Sequence, residues 1–254
     1  MGQILNYNFN VQIYANMNEM GRAAATDAGS YMRALLKKKS EINCIFAAAP
    51  SQSEMLKYLC EEKVEWNRVN AFHMDEYIGL EPDDPRLFSS FLNERIFKKV
   101  PFKNVFYMSG EGKTQDEILA NYACLLEQYP VDITFMGIGE NGHIAFNDPH
   151  VADFQDKQRI KVVDLDERSR MQQVHDGCFD KLESVPKYAI TLTIPSLTRA
   201  SRIFCIIPAQ SKAIAVKNTV LGSLSEKCPA TILRRHPDAT LYLDADAGKY
   251  LVER

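Results

Sequence analysis

Short apolar runs alternate with helix-like segments along this chain, and this alternation restricts its fold more than any other feature. An extended segment at residues 9–14 and a helix beginning after Asn16 come first, and residues 53–62 and 115–127 are typical of later helices. The apolar runs cover residues 42–48, 69–74, 131–136, 202–207 and 240–243. Strands that alternate with helices form a parallel sheet covered on both faces. The sequence therefore predicts a three-layer αβα sandwich with a Rossmann-like, mostly parallel sheet, whose ligands bind beyond the carboxyl ends of the strands.

Length and charge fit one globular domain. The 254 residues contain no internal repeat and no linker rich in Pro, Gly or Ser, so we expect a single domain over residues 1–254. Lys and Arg number 30 and Asp and Glu number 33, a net charge of −3 that argues against a nucleic-acid partner. No apolar run reaches the roughly 18 residues of a membrane span. We therefore expect a cytoplasmic protein with no membrane partner.

The loop after the third apolar run is the most informative segment. It spans residues 137–149 and carries glycines at 137, 139 and 142, followed by His143 and Asp148. Glycines let a backbone approach a ligand closely, and Asp148 could fix the tautomer of His143. The glycines also match the G-x-G-x-x-G pattern, but a dinucleotide fingerprint opens the first strand–helix unit of a domain and continues into a helix. This loop comes late and Pro149 interrupts it, so no nicotinamide cofactor is predicted.

Two adjacent carboxylates, Asp75 and Glu76, follow the second run. Neighbouring side chains point in different directions, so one can face a cleft while the other is held in the structure. Asp75 could serve as a general base. The alternative is that the pair caps the element that follows.

The loops after the first and fourth runs are candidate anion sites. Ser51, with Glu54 three residues later, has the spacing of a capping box, and a helix start with hydroxyls from Ser51 and Ser53 can also bind an anion. Lys212 stands at a helix start, where acidic residues are preferred, so a bound phosphate would explain it. The alternative is a solvated surface lysine.

The histidines and cysteines favour no metal site. The six cysteines form no CxxC motif and the histidines lack tight metal-ligand spacing. We interpret the cysteines as buried free thiols.

Three segments together resemble the glucosamine-6-phosphate deaminase (isomerase) family, a branch of the sugar-phosphate isomerase and 6-phosphogluconolactonase group. The motifs lie at residues 74–80, 142–149 and 185–189. The resemblance extends over roughly residues 42–243. It implies the same αβα fold and no cofactor.

The resemblance implies conversion of an amino sugar phosphate to fructose 6-phosphate and ammonia, by an enzyme expected to be a homo-oligomer. It implies that His143, oriented by Asp148, assists opening of the sugar ring, and that Asp75 moves a proton between C2 and C1 through an enolamine-like intermediate. Lys212 would hold the phosphate. The other expected substrate contacts are Ser51, Ser53, Glu76, Gly139 and Gly142, with Arg170 and Gln173 as the next candidates for the phosphate.

The departures from the family pattern leave the substrate open. Asn141 stands where the family usually has aspartate, Asp148 stands where it has glutamate, and the family's phosphate-binding arginine has no clear counterpart. Asn141 either tunes His143 without charge or merely holds the glycine-rich turn. Three functions therefore stay open: a deaminase, a 6-phosphogluconolactonase-like hydrolase, and a non-catalytic sugar-phosphate sensor.

Overall fold

The strands of the protein form two sheets in the computed structural model, which describes residues 3–6, 9–109 and 113–252. In chain order the strands are β1 (Gln3–Asn6), β2 (Asn10–Tyr14), β3 (Ile42–Phe46), β4 (Val69–His73), β5 (Asp75–Tyr77), β6 (Asn104–Phe106), β7 (Ile133–Met136), β8 (Ile160–Asp164), β9 (Tyr188–Leu192), β10 (Arg202–Ile207) and β11 (Ala239–Asp244). The main sheet has the order β1-β2-β11-β10-β7-β3-β4-β6. Its β1–β2 pair is antiparallel and its other pairs are parallel. The predicted mostly parallel sheet is confirmed.

Helices cover both faces of this sheet. In chain order they are α1 (Met17–Leu36), α2 (Ser53–Glu61), α3 (Phe88–Leu92), α4 (Gln115–Gln128), α5 (Glu167–His175), α6 (Ile194–Thr198), α7 (Ala213–Leu221) and α8 (Ala245–Val252). Alternate side chains of β3 enter two different cores: Cys44 and Phe46 pack in the core that includes α1 and α2, whereas Ile45 packs in the core that includes α4 and α7. This alternation is what a strand buried on both faces requires, and it gives the αβα layers.

The start of α1 follows from local chemistry. Asn16 is extended, and its side-chain oxygen accepts a hydrogen bond from the Glu19 backbone N–H at 2.9 Å. The predicted cap is therefore confirmed. None of the described helices is both long enough and apolar enough to span a bilayer.

The second sheet was not predicted. Its order is β5-β9-β8, with both pairings antiparallel. Strand β5 has three residues and β8 is only partly buried, so neither carries the long apolar signal of a core strand. This sheet matters for the site, because β5 begins at Asp75, two residues after the end of β4.

Candidate active site

A cavity of about 260 Å³ lies beyond the carboxyl ends of β3, β4, β7 and β10, which are neighbours in the sheet. It is lined by segments that follow these strands, by α5 and by Met17. The lining residues are Met17, Ala47, Ala48, Ala49, Pro50, Ser51, Gln52, Met74, Asp75, Phe88, Gly137, Ile138, Gly139, His143, Ala145, Phe146, Gln172, Gln173, Asp176, Pro208, Ala209, Ser211 and Lys212. The structure therefore brings Ser51, Asp75, Gly139, His143, Gln173 and Lys212 together, as the sequence predicts.

Glycines shape the loop that carries His143. A Cβ added to Gly139 would lie 2.1 Å from Cε1 of His143, so the imidazole packs directly on this glycine. Gly142 has a φ of +87°, and a Cβ there would lie 2.5 Å from the sulfur of Cys228. Gly142 does not line the cavity. Its predicted substrate contact is therefore not supported, and its role is to turn the backbone.

The Nδ1 atom of His143 is held by three neighbours. It lies 2.8 Å from Oδ1 of Asn141, 3.0 Å from Oδ1 of Asp148 and 2.8 Å from the hydroxyl of Ser169. The carboxylate and the amide oxygen are acceptors only, so Nδ1 carries the proton. Nε2 is therefore the ring nitrogen left with a lone pair for chemistry in the cavity.

Asp148 lies behind His143 and does not line the cavity. It is fully buried, and its carboxylate accepts hydrogen bonds from Asn141 Nδ2 at 2.9 Å, from the Ser169 hydroxyl and from the Asp166 backbone N–H at 3.3 Å. Burial acts to raise the pKa of Asp148, but the hydrogen bonds and charge of His143, together with those from Asn141 and Ser169, hold it well below its usual range. A low pKa and contact with Nδ1 of His143 fit the orienting role that the sequence predicts for Asp148.

Asn141 bridges the two groups. Its oxygen accepts from the His143 backbone N–H at 3.0 Å and faces Nδ1, while its amide nitrogen donates to Asp148. An aspartate here could not make the donation to Asp148. Asn141 therefore positions the pair and does not itself line the cavity.

Asp75 is also buried, but its surroundings shift its pKa in the opposite direction. Asp75 is 6% exposed and lines the cavity. Among the described residues, none donates a hydrogen bond to its carboxylate. Burial, followed by the charge of neighbouring Glu76, raises the pKa of Asp75 well above its usual value. An unpaired carboxyl group with a raised pKa is suited to take up and release a proton.

Glu76 does not line the cavity, so its expected contact with substrate is not supported. It follows Asp75 in β5 and points to the other side of the strand. Its carboxylate accepts from the backbone N–H groups of Phe88 and Ser89, both at 2.9 Å, and so caps the start of α3. The alternative of a cap thus holds for one member of the carboxylate pair.

His73 is a positioning residue that sequence reasoning missed. It is 1% exposed; its Nδ1 lies 2.9 Å from the backbone oxygen of Asp75, and its Nε2 accepts from the Met108 backbone N–H at 2.7 Å. The hydroxyl of Tyr122 also bridges the backbone N–H and C=O of His73, at 3.1 and 2.7 Å. This network fixes the backbone that carries Asp75. The signal in the sequence was a histidine two residues before the candidate base.

Lys212 is buried, which excludes the solvated surface lysine. It ends the turn Gln210–Lys212 before α7, is 5% exposed, and its Nζ has no hydrogen-bond partner among the described residues. Burial lowers the pKa of Lys212, although the charges of Asp176 and Glu140 act to raise it. A buried ammonium to which no described residue offers a hydrogen-bond acceptor is suited to bind an anion.

The capping box predicted for Ser51 and Glu54 is wrong. A 3-10 turn, Pro50–Gln52, precedes α2, so Ser51 lies inside a turn that Pro50 starts, and no side chain caps it. The carboxylate of Glu54 instead accepts from Asn18 at 3.2 Å. Ser51 lines the cavity, whereas Ser53, the first residue of α2, does not.

Helix α5 supplies one wall of the cavity, through residues that sequence reasoning mostly missed. Gln172, Gln173 and Asp176 line the cavity, and Ser169 contacts His143 from the same helix. Their spacing of three and four residues is the signal that could have found them. Arg170 does not line the cavity: its guanidinium donates to the carbonyl oxygens of Leu182 and Val185 at 2.8 and 2.9 Å, so its expected phosphate contact is not supported.

Metal-binding clusters are not found in the described part of the chain: no three His, Cys, Asp or Glu side chains there are grouped to hold an ion.

Comparison with known proteins gives consistent matches. Residues 15–242 match the family of glucosamine-6-phosphate isomerases/6-phosphogluconolactonase. The chain is 34% identical over 212 residues to the glucosamine-6-phosphate deaminase of Listeria innocua, covering 83% of this chain and 88% of that one. It is also 34% identical over 213 residues to the Bacillus cereus deaminase, covering 84% and 79%.

Solved structures match over nearly the whole chain. A structure described as a monomeric glucosamine-6-phosphate deaminase has a TM-score of 0.84 and 28% identity, covering 94% of this chain and 98% of that one. The 6-phosphogluconolactonase of Thermotoga maritima has a TM-score of 0.72 and 19% identity, covering 92% and 98%, which supports the fold alone.

Proposed function

The chain belongs to the glucosamine-6-phosphate isomerase/6-phosphogluconolactonase family, and from that premise we propose that it is a deaminase that converts glucosamine 6-phosphate to fructose 6-phosphate and ammonia. The observation that carries this proposal is Asp75, a buried carboxyl group to which no described residue donates a hydrogen bond, in the same cavity as His143. Deamination through an enolamine needs one group at the ring oxygen and another at C2. The two residues come from different strand ends and can meet both needs.

His143 acts first in the proposed reaction. With the proton on Nδ1 held by Asn141 and Asp148, Nε2 accepts the proton of the C1 hydroxyl and delivers it to the ring oxygen, which opens the ring to the aldehyde. Nδ1 stays protonated throughout. Asp148 stabilises the imidazolium that forms between the two transfers.

Asp75 then moves the second proton. Its carboxylate removes the proton from C2 while the ammonium group of the substrate gives a proton to O1, so that C1=O becomes C1–OH and the enolamine forms, and the same carboxyl group then returns its proton to C1. The product is a ketimine at C2, and water hydrolyses it to the ketone and ammonia. Because Asp75 must hold the proton between the two steps, a raised pKa favours this role.

The phosphate end is assigned to Lys212 and Ser51. Both line the cavity, on the loops that follow β10 and β3. A buried ammonium binds a phosphate dianion through charge-assisted hydrogen bonds. Ser51 contributes a neutral hydroxyl and therefore less binding energy.

A lactonase is the second candidate, because the fold is shared with 6-phosphogluconolactonases. Lactone hydrolysis needs His143 to activate water and needs no base at C2. The unpaired Asp75 therefore favours the deaminase.

The test is a pair of assays on the purified protein. Glucosamine 6-phosphate is supplied with detection of ammonia, and 6-phosphogluconolactone is supplied in parallel with detection of acid release. We expect ammonia from the first assay, lost in Asp75→Asn and kept in a matched variant of the exposed Asp116. Lactone hydrolysis without ammonia release would contradict the proposal, and inactivity in both assays would favour a sensor.

We also propose a cytoplasmic location and a homo-oligomeric assembly, as the family resemblance implies. A relative described as monomeric shows that the fold does not require assembly. Light scattering of the full chain decides the oligomeric state, and a mass of one chain, 28.8 kDa, would contradict the homo-oligomer.

A further inference from the structure

The ammonium of Lys212 has a resident counter-ion in Glu140. Nζ of Lys212 lies 3.9 Å from Oε1 of Glu140, with the two side chains 7% and 28% exposed. This distance is too long for a hydrogen bond but short enough for strong attraction at the edge of a cavity. Lys212 is therefore partly neutralised before any ligand arrives.

The position of Glu140 is set by helix α5. Its backbone N–H donates to Oε1 of Gln172 at 3.0 Å, and Nε2 of Gln172 donates to Oδ2 of Asp176 at 3.3 Å. One glutamine thus ties together the two acidic residues that act on Lys212, and Asp176 itself lines the cavity.

We propose that Glu140 is a specificity-determining residue, whose carboxylate pairs with the ammonium group of Lys212 until a ligand phosphate displaces it. The inference rests on the proposed function for the identity of the displacing group. A phosphate dianion carries more charge and more acceptor oxygens than one carboxylate, so it can replace Glu140. A neutral sugar cannot, and an isolated monoanion gains little from the exchange.

The structure also offers the displaced carboxylate a second partner. Oε2 of Glu140 lies 3.8 Å from Nδ1 of His175, which is on the exposed end of α5. The backbone of Glu140 stays fixed by Gln172 while its half-buried side chain can turn toward His175 and solvent. Displacement therefore needs only a rotation of one side chain.

Calorimetric titration of the purified full chain with inorganic phosphate tests this proposal. Glu140→Gln removes the competing charge and keeps the size of the side chain, so we expect the Kd for phosphate to fall by roughly five- to tenfold. Asp176→Asn removes the other acidic charge that acts on Lys212 and should also lower the Kd. Glu183→Gln, an equal charge change at an exposed position outside the cavity, should leave the Kd unchanged. Glucosamine without phosphate should bind Glu140→Gln no more tightly than the wild type.

Three results would overturn the proposal, and they separate it from the proposed function. Unchanged or weaker phosphate binding in Glu140→Gln, with binding lost in Lys212→Ala, would reject the role of Glu140 and keep Lys212 as the phosphate ligand. Tighter binding in Glu183→Gln as well would show only a general charge effect. Phosphate binding that survives in Lys212→Ala would reject both assignments. Tighter binding in Glu140→Gln supports the proposal even if the ammonia assay fails.

Discussion

Asp75 and Asp148 are both buried aspartates in segments that follow strands of the main sheet, but their surroundings act on their charges in opposite directions. Asp148 accepts hydrogen bonds from Asn141 and Ser169 and faces His143, and its pKa is held low. Asp75 has Glu76 beside it and no donor among the described residues, and its pKa is raised. Two carboxyl groups pushed apart in this way can perform different tasks at one pH. The first, Asp75, is suited to exchange protons, and the second, Asp148, holds a histidine.

Substitution of Asp75 is expected to have the largest effect on turnover. Asp75→Asn keeps the shape of the side chain but cannot accept a proton, so we expect turnover of glucosamine 6-phosphate to fall by about 10³-fold or more. Binding of the sugar phosphate should persist, as measured by calorimetry. Turnover within a factor of about ten of the wild type would mean that another group is the base.

The same substitution should stabilise the fold at neutral pH. A raised pKa means that the folded state binds more protons than the unfolded chain. Protonation of Asp75 therefore stabilises the fold at pH values below the ordinary Asp range, and this stabilisation is lost as pH rises through the raised pKa. An amide avoids that loss, and we expect a gain of roughly 1–3 kcal/mol in the free energy of unfolding at pH 7. Denaturant titration measures it, and destabilisation would show that the Asp75 charge is well solvated.

Asp148→Asn should do the reverse. Because the pKa of Asp148 is low in the folded state, its ionised form stabilises the fold at pH values above the ordinary Asp range, and this stabilisation is lost as pH falls through the low pKa. The variant should therefore lose roughly 1–3 kcal/mol in the free energy of unfolding at pH 7. Turnover should fall by about 10²-fold because Nδ1 of His143 loses its anionic acceptor. Ser169→Ala, which keeps the carboxylate, should cost less in both measurements. Equal losses in the two variants would contradict the orienting role of the charge.

Lys212→Ala should weaken binding of phosphorylated ligands by roughly 10- to 100-fold, since it removes a charge-assisted contact present in ground and transition states alike. The control is Lys217→Ala, an exposed lysine on α7 that stacks on Tyr250. Affinity for the phosphorylated sugar is compared between the variants by calorimetry. Equal affinities would place the phosphate elsewhere, and Gln173 would be the next candidate because it lines the cavity.

The smallest effect is expected at Asn141. Asn141→Asp adds a second carboxylate beside His143 and favours the protonated imidazole, so the acidic limb of the kcat/KM profile should move upward by up to about one pH unit. Asn121→Asp, an exposed position on α4, provides the same change of charge far from the loop. An unmoved limb in active Asn141→Asp would leave Asn141 as a residue that only holds the turn.

The sequence predicted the main sheet because its central strands are buried on both faces. Residues 42–46 and 202–207 are apolar for that reason, apart from Asn43 and Arg202, and both segments are strands in the structure. In the second sheet β5 has only three residues and β8 is only partly buried, so local sequence carried little signal for these two strands. Local sequence did not settle the role of Glu76 either, because its carboxylate caps α3, which lies further along the chain.

The candidate site divides in the same way. Asp75 and His143 stand in motifs next to strand ends, where the sheet rule predicts ligands, and Lys212 follows the same logic. Ser169 and Gln172 lie on a largely polar helix and Asp176 directly follows it, and apolar periodicity, the main sign of a helix in sequence, is weak there. Their contacts with the His143 loop are tertiary and become visible only once the chain is folded.

The account depends most on Asp75 as the group that moves the C2 proton. Glucosamine 6-phosphate incubated with the protein in deuterium oxide tests this directly, with deuterium followed by nuclear magnetic resonance at C2 of recovered substrate and at C1 of product. The account predicts deuterium at these positions with the wild-type protein and with Lys217→Ala, and none above the protein-free control with Asp75→Asn. Exchange at C2 that persists in folded Asp75→Asn would contradict it.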